Sequence, residues 1–66
     1  MNKPFEILDE PINLKIFFNH KEDHAVTFNH YSVIGRRQEG NWLNLLKNNG
    51  EEVLINLDNV NQIATI

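Results

Sequence analysis

The chain has 66 residues, nine acidic against six basic side chains for a formal net charge of −3, and no cysteine. This length holds one domain that buries only roughly 60% of its unfolded surface, so the core is slight and association with another chain is the expected support. The missing cysteines exclude disulfides and thiolate zinc sites, and the acidic balance argues against a protein that grips phosphates or membrane surfaces non-specifically.

Residues 1–11 read as an N-terminal arm and 12–66 as a β-rich core. Pro4 and Pro11 each remove a backbone donor, and Pro11 keeps Glu10 out of helical geometry. The stretch Phe5, Glu6, Ile7, Leu8, Asp9 is therefore expected as one helical turn or a short edge strand lying over the core.

From Ile12 the apolar period becomes two. Ile12, Leu14, Ile16 and Phe18 fall on one face, with Asn13, Lys15, Phe17 and Asn19 on the other, the pattern of a half-buried strand. The polar run His20, Lys21, Glu22, Asp23 marks a turn. A second strand follows with Val26 and Phe28 expected inward and Thr27 and Asn29 outward. Because Tyr31, Val33 and Ile34 do not continue that phase, a bulge is predicted near Asn29 and His30. Gly35 to Asn41 reads as a turn region. Trp42, Leu43, Asn44, Leu45 and Leu46 form a strand buried on both sides, or at a barrel seam, with Trp42 expected in the core. Asn48, Asn49, Gly50 is a hairpin signal, since Asn-Gly readily takes positive φ. Val53, Leu54, Ile55 and Leu57 make the fourth strand, Asp58 and Asn59 punctuate it, and Val60, Ile63 and Ile66 lie on the last. The predicted fold is all-β: five short strands in a small, strongly bent barrel or meander.

The segments Leu43–Leu46 and Ile55–Ile63 resemble the two motifs of Sm-like proteins, of the bacterial RNA-chaperone type. The first has the hydrophobic-Asn-hydrophobic strand. The second has a strand end, a short turn and apolar residues three apart. This resemblance implies a short N-terminal helix followed by a bent five-stranded barrel. It also implies rings joined through the last two strands of neighbouring subunits, with single-stranded RNA bound around the pore. Asn44 would then contact a base and Asn56 would lie near the same pocket. The chain departs from the family at Gly40, where an aspartate is expected. It departs again at Asn56, Leu57 and Asp58, where the family carries Arg-Gly or a Tyr-Lys-His cluster.

Candidate chemistry is sparse. Arg36 and Arg37 with Tyr31 and Trp42 offer cations and rings of the kind that hold phosphates and stack bases. Together with Asn44 and Asn56 they are the candidate nucleic-acid contacts. His20, Glu22, Asp23, His24 and His30 are good metal-ligand types without a fixed spacing, so a solvated turn is expected and no metal or cofactor. Ser32 is the only serine, and Gly35, Gly40 and Gly50 belong to separate turns rather than a phosphate loop, so no catalytic activity is expected. The primary expectation is a non-enzymatic protein-interaction or regulatory module. It would be a homo-oligomer or bind a protein partner through exposed strand edges at Ile12, Leu14, Ile16, Phe18 or at Val60, Ile63, Ile66. The alternative is an Sm-like barrel binding single-stranded RNA or DNA. A cytoplasmic location is expected from the lack of a signal-peptide pattern or bilayer-length apolar run. The asparagine-rich composition of AT-rich genomes suits a phage or mobile-element accessory protein.

Overall fold

The computed structural model describes residues 4–66. It is all-β: strands β1 (Glu6–His20), β2 (Ala25–Glu39), β3 (Trp42–Lys47), β4 (Glu52–Asn56) and β5 (Val60–Thr65) form one antiparallel sheet in the order β4-β3-β2-β1-β5. A 3-10 turn, Leu57–Asn59, joins β4 to β5. The Asn56 side chain caps it by accepting from the Asp58 amide at 3.0 Å. The sheet is bent and does not close on itself, so β4 and β5 remain as its two edges.

The bend accompanies three register irregularities, one of them between β1 and β5, where Phe17 pairs with Gln62 and Phe18 with Val60, leaving Asn61 as an extra residue. Between β1 and β2 the pairing shifts between Ile7 and Ile12, around Pro11. Between β2 and β3 it shifts between Val33 and Gly35, around Ile34. Proline cannot donate to a ladder, and an unpaired extra residue curls its strand. The described part of the N-terminal arm is thus the start of β1, the edge-strand alternative rather than a helical turn. Met1, Asn2 and Lys3 lie outside the described residues.

The bulge predicted near Asn29 and His30 is corrected. Pairing is unbroken from Ile12↔Val33 to His20↔Ala25, so Asn29 and His30 sit in regular register. The faces of β2 are also reversed. Phe28 pairs with Phe17 and Val26 with Asn19, on the side away from the core. Phe28 is 49% exposed and Val26 54%. Tyr31 and Val33 face in, opposite Leu14 and Ile12, and Thr27 and Asn29 share their side, so the strand keeps one phase and no bulge is needed.

The turns are tighter than the glycine-rich stretches suggest. Glu39 pairs with Trp42, so the turn expected over residues 35–41 contracts to Gly40–Asn41, and β2 continues to Glu39. Gly40 has φ +57, as the first central position of a primed two-residue hairpin requires. Gly50 has φ +91 in the β3–β4 turn, where Asn49 accepts from the Glu51 amide and donates to the Glu51 carboxylate. In the β1–β2 turn the positive φ falls on His24 instead.

The core is small. Leu14, Ile16, Val33, Leu45 and Ile55 are buried, and Leu8, Ile12, Phe18, Tyr31, Leu43, Val53 and Val60 pack around them. Each comes from the inner face of its strand, so the alternation of β1, Leu43 and Leu45 of β3, and Val53 and Ile55 of β4 builds one apolar layer. Trp42 is outside that layer, 49% exposed, because its position faces outward with Asn44.

Candidate functional site

Two outer patches and two open edges are among the features that can meet another molecule, beside an open hollow lined by Phe18, His20, Asp23, Thr27, Asn29 and Asn59 at the β1–β2 hairpin. The first patch lies on β2, β3 and β4. Arg37 pairs across the ladder with Asn44, and Asn44 with Leu54. Arg37, Glu39, Trp42, Asn44, Glu52 and Leu54 line one shallow depression. Its centre is a polar knot. Arg37 Nε meets Glu39 at 3.3 Å and Nη2 meets Glu52 at 3.0 Å. With the Asn44 amide turned so that its oxygen faces the guanidinium, it accepts from Nη2 at 2.8 Å and Nε at 3.2 Å. The Phe5 ring lies 4.4 Å from the guanidinium carbon. Asn44 is thereby buried, at 6% exposure, with its hydrogen bonding satisfied.

The structure brings Arg37, Trp42 and Asn44 of the candidate nucleic-acid set together and separates the others. Arg36 pairs with Leu45, hence on the inner side, and reaches Glu6 at 3.4 Å in an exposed ion pair. Asn56 lies opposite Trp42, but its side-chain oxygen is engaged by the Asn41 amide and the Asp58 N–H. Two carboxylates flank the one guanidinium in the depression, an arrangement that opposes a phosphate.

The second patch lies on the outer face of β1, β2 and β5. Cross-strand pairs set Lys15 beside His30 and Ala64, and Phe17 beside Phe28 and Gln62. The rings of Phe17 and Phe28 are 5.8 Å apart, and His30 meets Phe28 edge-on at 5.5 Å. The Lys15 ammonium sits 4.2 Å from the Phe28 centroid and 5.2 Å from that of Phe17. Asn13, Asn19, Val26 and Ser32 complete this side of the regularly paired stretch from Ile12 to His20, which carries no carboxylate. Sequence reading missed this patch because Phe28 and Val26 were placed inward.

The edges follow from the ladder. Antiparallel pairs alternate between those that exchange backbone hydrogen bonds and those that do not. The Ile66 amide donates to Asn13, so the Leu14↔Thr65 and Ile16↔Ile63 pairs are the non-bonded kind, and the backbone groups of Ile63 and Thr65 point away from the sheet. In the same way Lys47 to Glu51 and Leu57 to Asn41 fix the β3–β4 ladder, and the backbone groups of Glu52 and Leu54 point outward. The expected edge over Ile12, Leu14, Ile16 and Phe18 is corrected: β1 lies between β2 and β5, and Ile16 is fully buried. Val60, Ile63 and Ile66 do belong to the β5 edge region, with Ile63 42% and Ile66 63% exposed.

The histidines do not converge. His20 Nε2 bonds Thr27 Oγ1 at 2.7 Å, and among the described residues no three metal-ligating side chains come together. No helix of the described residues is long and apolar enough to cross a membrane. No family model, curated protein or solved structure matches the chain.

Proposed function

We propose that the protein is a non-enzymatic interaction module that associates with copies of itself by strand addition, β5 of one copy pairing with β4 of the next. The observation that carries this reading is the state of the two edges. β5 reads Val-Asn-Gln-Ile-Ala-Thr, with neither charge nor proline; its one register shift falls at Asn61, so Gln62–Thr65 keeps regular pairing, and β4 carries one charge, Glu52, at its start. Edges in monomeric proteins are normally protected by lysines, prolines or bulges, and an unprotected edge is a template for another strand. The side chains agree with the backbone. Joining β5 to β4 in parallel sets Ile63 beside Val53 and Ile55 on the inner face, extending a core that is slight in one chain.

The test is Thr65→Pro. The Thr65 N–H points away from β1, so proline there spares the native ladder while blocking the free edge. Light scattering behind a sizing column is expected to give a mass of several chains for the wild type and a smaller mass for Thr65→Pro, with the same circular dichroism. A single-chain wild type, or an unchanged mass in the variant, overturns the proposal.

A second reading draws on the same edges. The Sm-like resemblance implies rings joined through the last two strands, and those two strands are the ones left open. In that reading Trp42 and Asn44 line the nucleic-acid site. Salt-sensitive quenching of Trp42 fluorescence by oligo-U or oligo-A supports it, and unchanged fluorescence at low salt removes it.

A further inference from the structure

The two outer patches are opposite in character, and each has what the other lacks. The depression on β2–β4 sets the half-exposed ring of Trp42 and the exposed Leu54 beside one guanidinium and two carboxylates, a formal excess of one negative charge among the described residues. The patch on β1–β2–β5 presents the Phe17–Phe28 pair and Val26 with Lys15 over the rings and no acid on that face of the regularly paired stretch from Ile12 to His20.

We infer that these faces are complementary halves of one contact: the Phe17, Phe28, Lys15 face of one copy packs on the Trp42, Leu54 depression of a second copy. Rings and a leucine form the apolar centre. The Lys15 ammonium meets the unbalanced carboxylate charge of Glu39 and Glu52. An interface with an aromatic centre and few charges, each opposed by its complement, has the anatomy of a specific protein contact.

Charge selects among the occupants. Two Lys15 faces packed on each other would oppose cations with no carboxylate between them, so the symmetric back-to-back arrangement is disfavoured. A nucleic acid on the Lys15 face would find one lysine on a chain of net charge −3, too little for the phosphate term that dominates such binding. The contact is head-to-tail, so it propagates from copy to copy. It is separate from strand addition, since it uses side chains on the faces of the sheet, Glu52 and Leu54 of β4 among them, and not the backbone groups of the edges.

A charge exchange tests it, using sedimentation velocity at low salt. The experiment is run in the natural sequence and again with Thr65→Pro, so that loss of edge pairing and loss of the face contact are read separately. Lys15→Glu and Leu54→Lys are both placed on the outer surface, and neither removes a partner of Arg37. Each variant alone is expected to weaken association by about tenfold, because it sets like charges against each other. An equal mixture of the two is expected to recover association, since the glutamate of one copy then meets the lysine of the other and the remaining faces are natural. Raising the salt to 0.5 M, a concentration with a Debye length of about 4 Å, should weaken the natural contact. A mixture no better than either variant overturns the inference. So does a Lys15→Glu chain that associates like the natural one. Phe28→Ser, read by the same measurement with folding followed by circular dichroism, must also weaken association; unchanged association places the contact elsewhere.

Discussion

On the outer side of β2–β4 the polar groups are turned inward on one another: Arg37 and Asn44 are largely buried and answered by Glu39, Glu52 and the Phe5 ring. On the outer side of β1–β2–β5 the order is inverted, with Phe28 and Val26 about half exposed and only Lys15 lying over the rings. One sheet therefore carries a polar knot that is finished within the chain, although Trp42 and Leu54 beside it stay open, and an aromatic surface that is not finished. The finished region contributes to stability, because a buried polar group left alone costs the chain its desolvation. The unfinished region contributes little to stability and is available for contact.

The comparison breaks most visibly at Arg37. Arg37→Ala strands the buried Asn44 and leaves two neighbouring carboxylates without their cation. The expected cost is about 2–3 kcal/mol, read as a lower urea midpoint at unchanged slope. Arg37→Lys should recover only part of it, since an ammonium cannot serve Asn44 and both carboxylates from one planar fork. In the turn of the same region, Gly50→Ala meets no steric obstacle but places an L residue at φ +91. A loss of about 1 kcal/mol in the same titration is expected from the backbone alone.

The open region should respond differently. Phe28→Ser removes one ring of a cross-strand pair, so the expected cost is below about 1 kcal/mol while self-association falls. If its melting temperature drops as far as that of Arg37→Ala, the ring belongs to the core and the contrast fails. The smallest effect is expected at His24, whose φ of 55 is borne by a non-glycine residue. His24→Gly should raise stability by about 0.5 kcal/mol; a loss would show that the histidine side chain holds the turn.

Much of the architecture was legible in the residues. The period of two over Ile12–Phe18 and the Asn-Gly turn at 49–50 are local signals that correspond to observed elements; Asp58 and Asn59 do mark a break, but the fourth strand stops at Asn56 and Leu57, expected on it, falls in the 3-10 turn capped by Asn56. What was not legible depends on partners remote in sequence. The order of strands places β1 in the middle of the sheet through pairing with β5, and nothing inside Ile12–Phe18 distinguishes an edge strand from an inner one. The outward direction of Val26 and Phe28 is set by register with Asn19 and Phe17, whereas hydrophobicity alone assigns them inward. Arg37 and Asn44 are both of residue types that suit a contact with nucleic acid, but their joint role arises only when the Gly40–Asn41 hairpin sets them opposite each other. Arg36, one residue away, falls on the other side.

The open edges are tested most directly by amide hydrogen exchange, residue by residue, as a function of protein concentration. The Val53 and Ile55 amides lie in the β3–β4 ladder and should be protected at every concentration. The amides of Ile63, Thr65 and Leu54 point away from the sheet, so they gain protection only when a second strand pairs with them. Strand addition predicts that their protection rises with concentration and disappears in Thr65→Pro, where Ile63 and Leu54 are read. Free exchange of these amides in the natural chain at high concentration would contradict it.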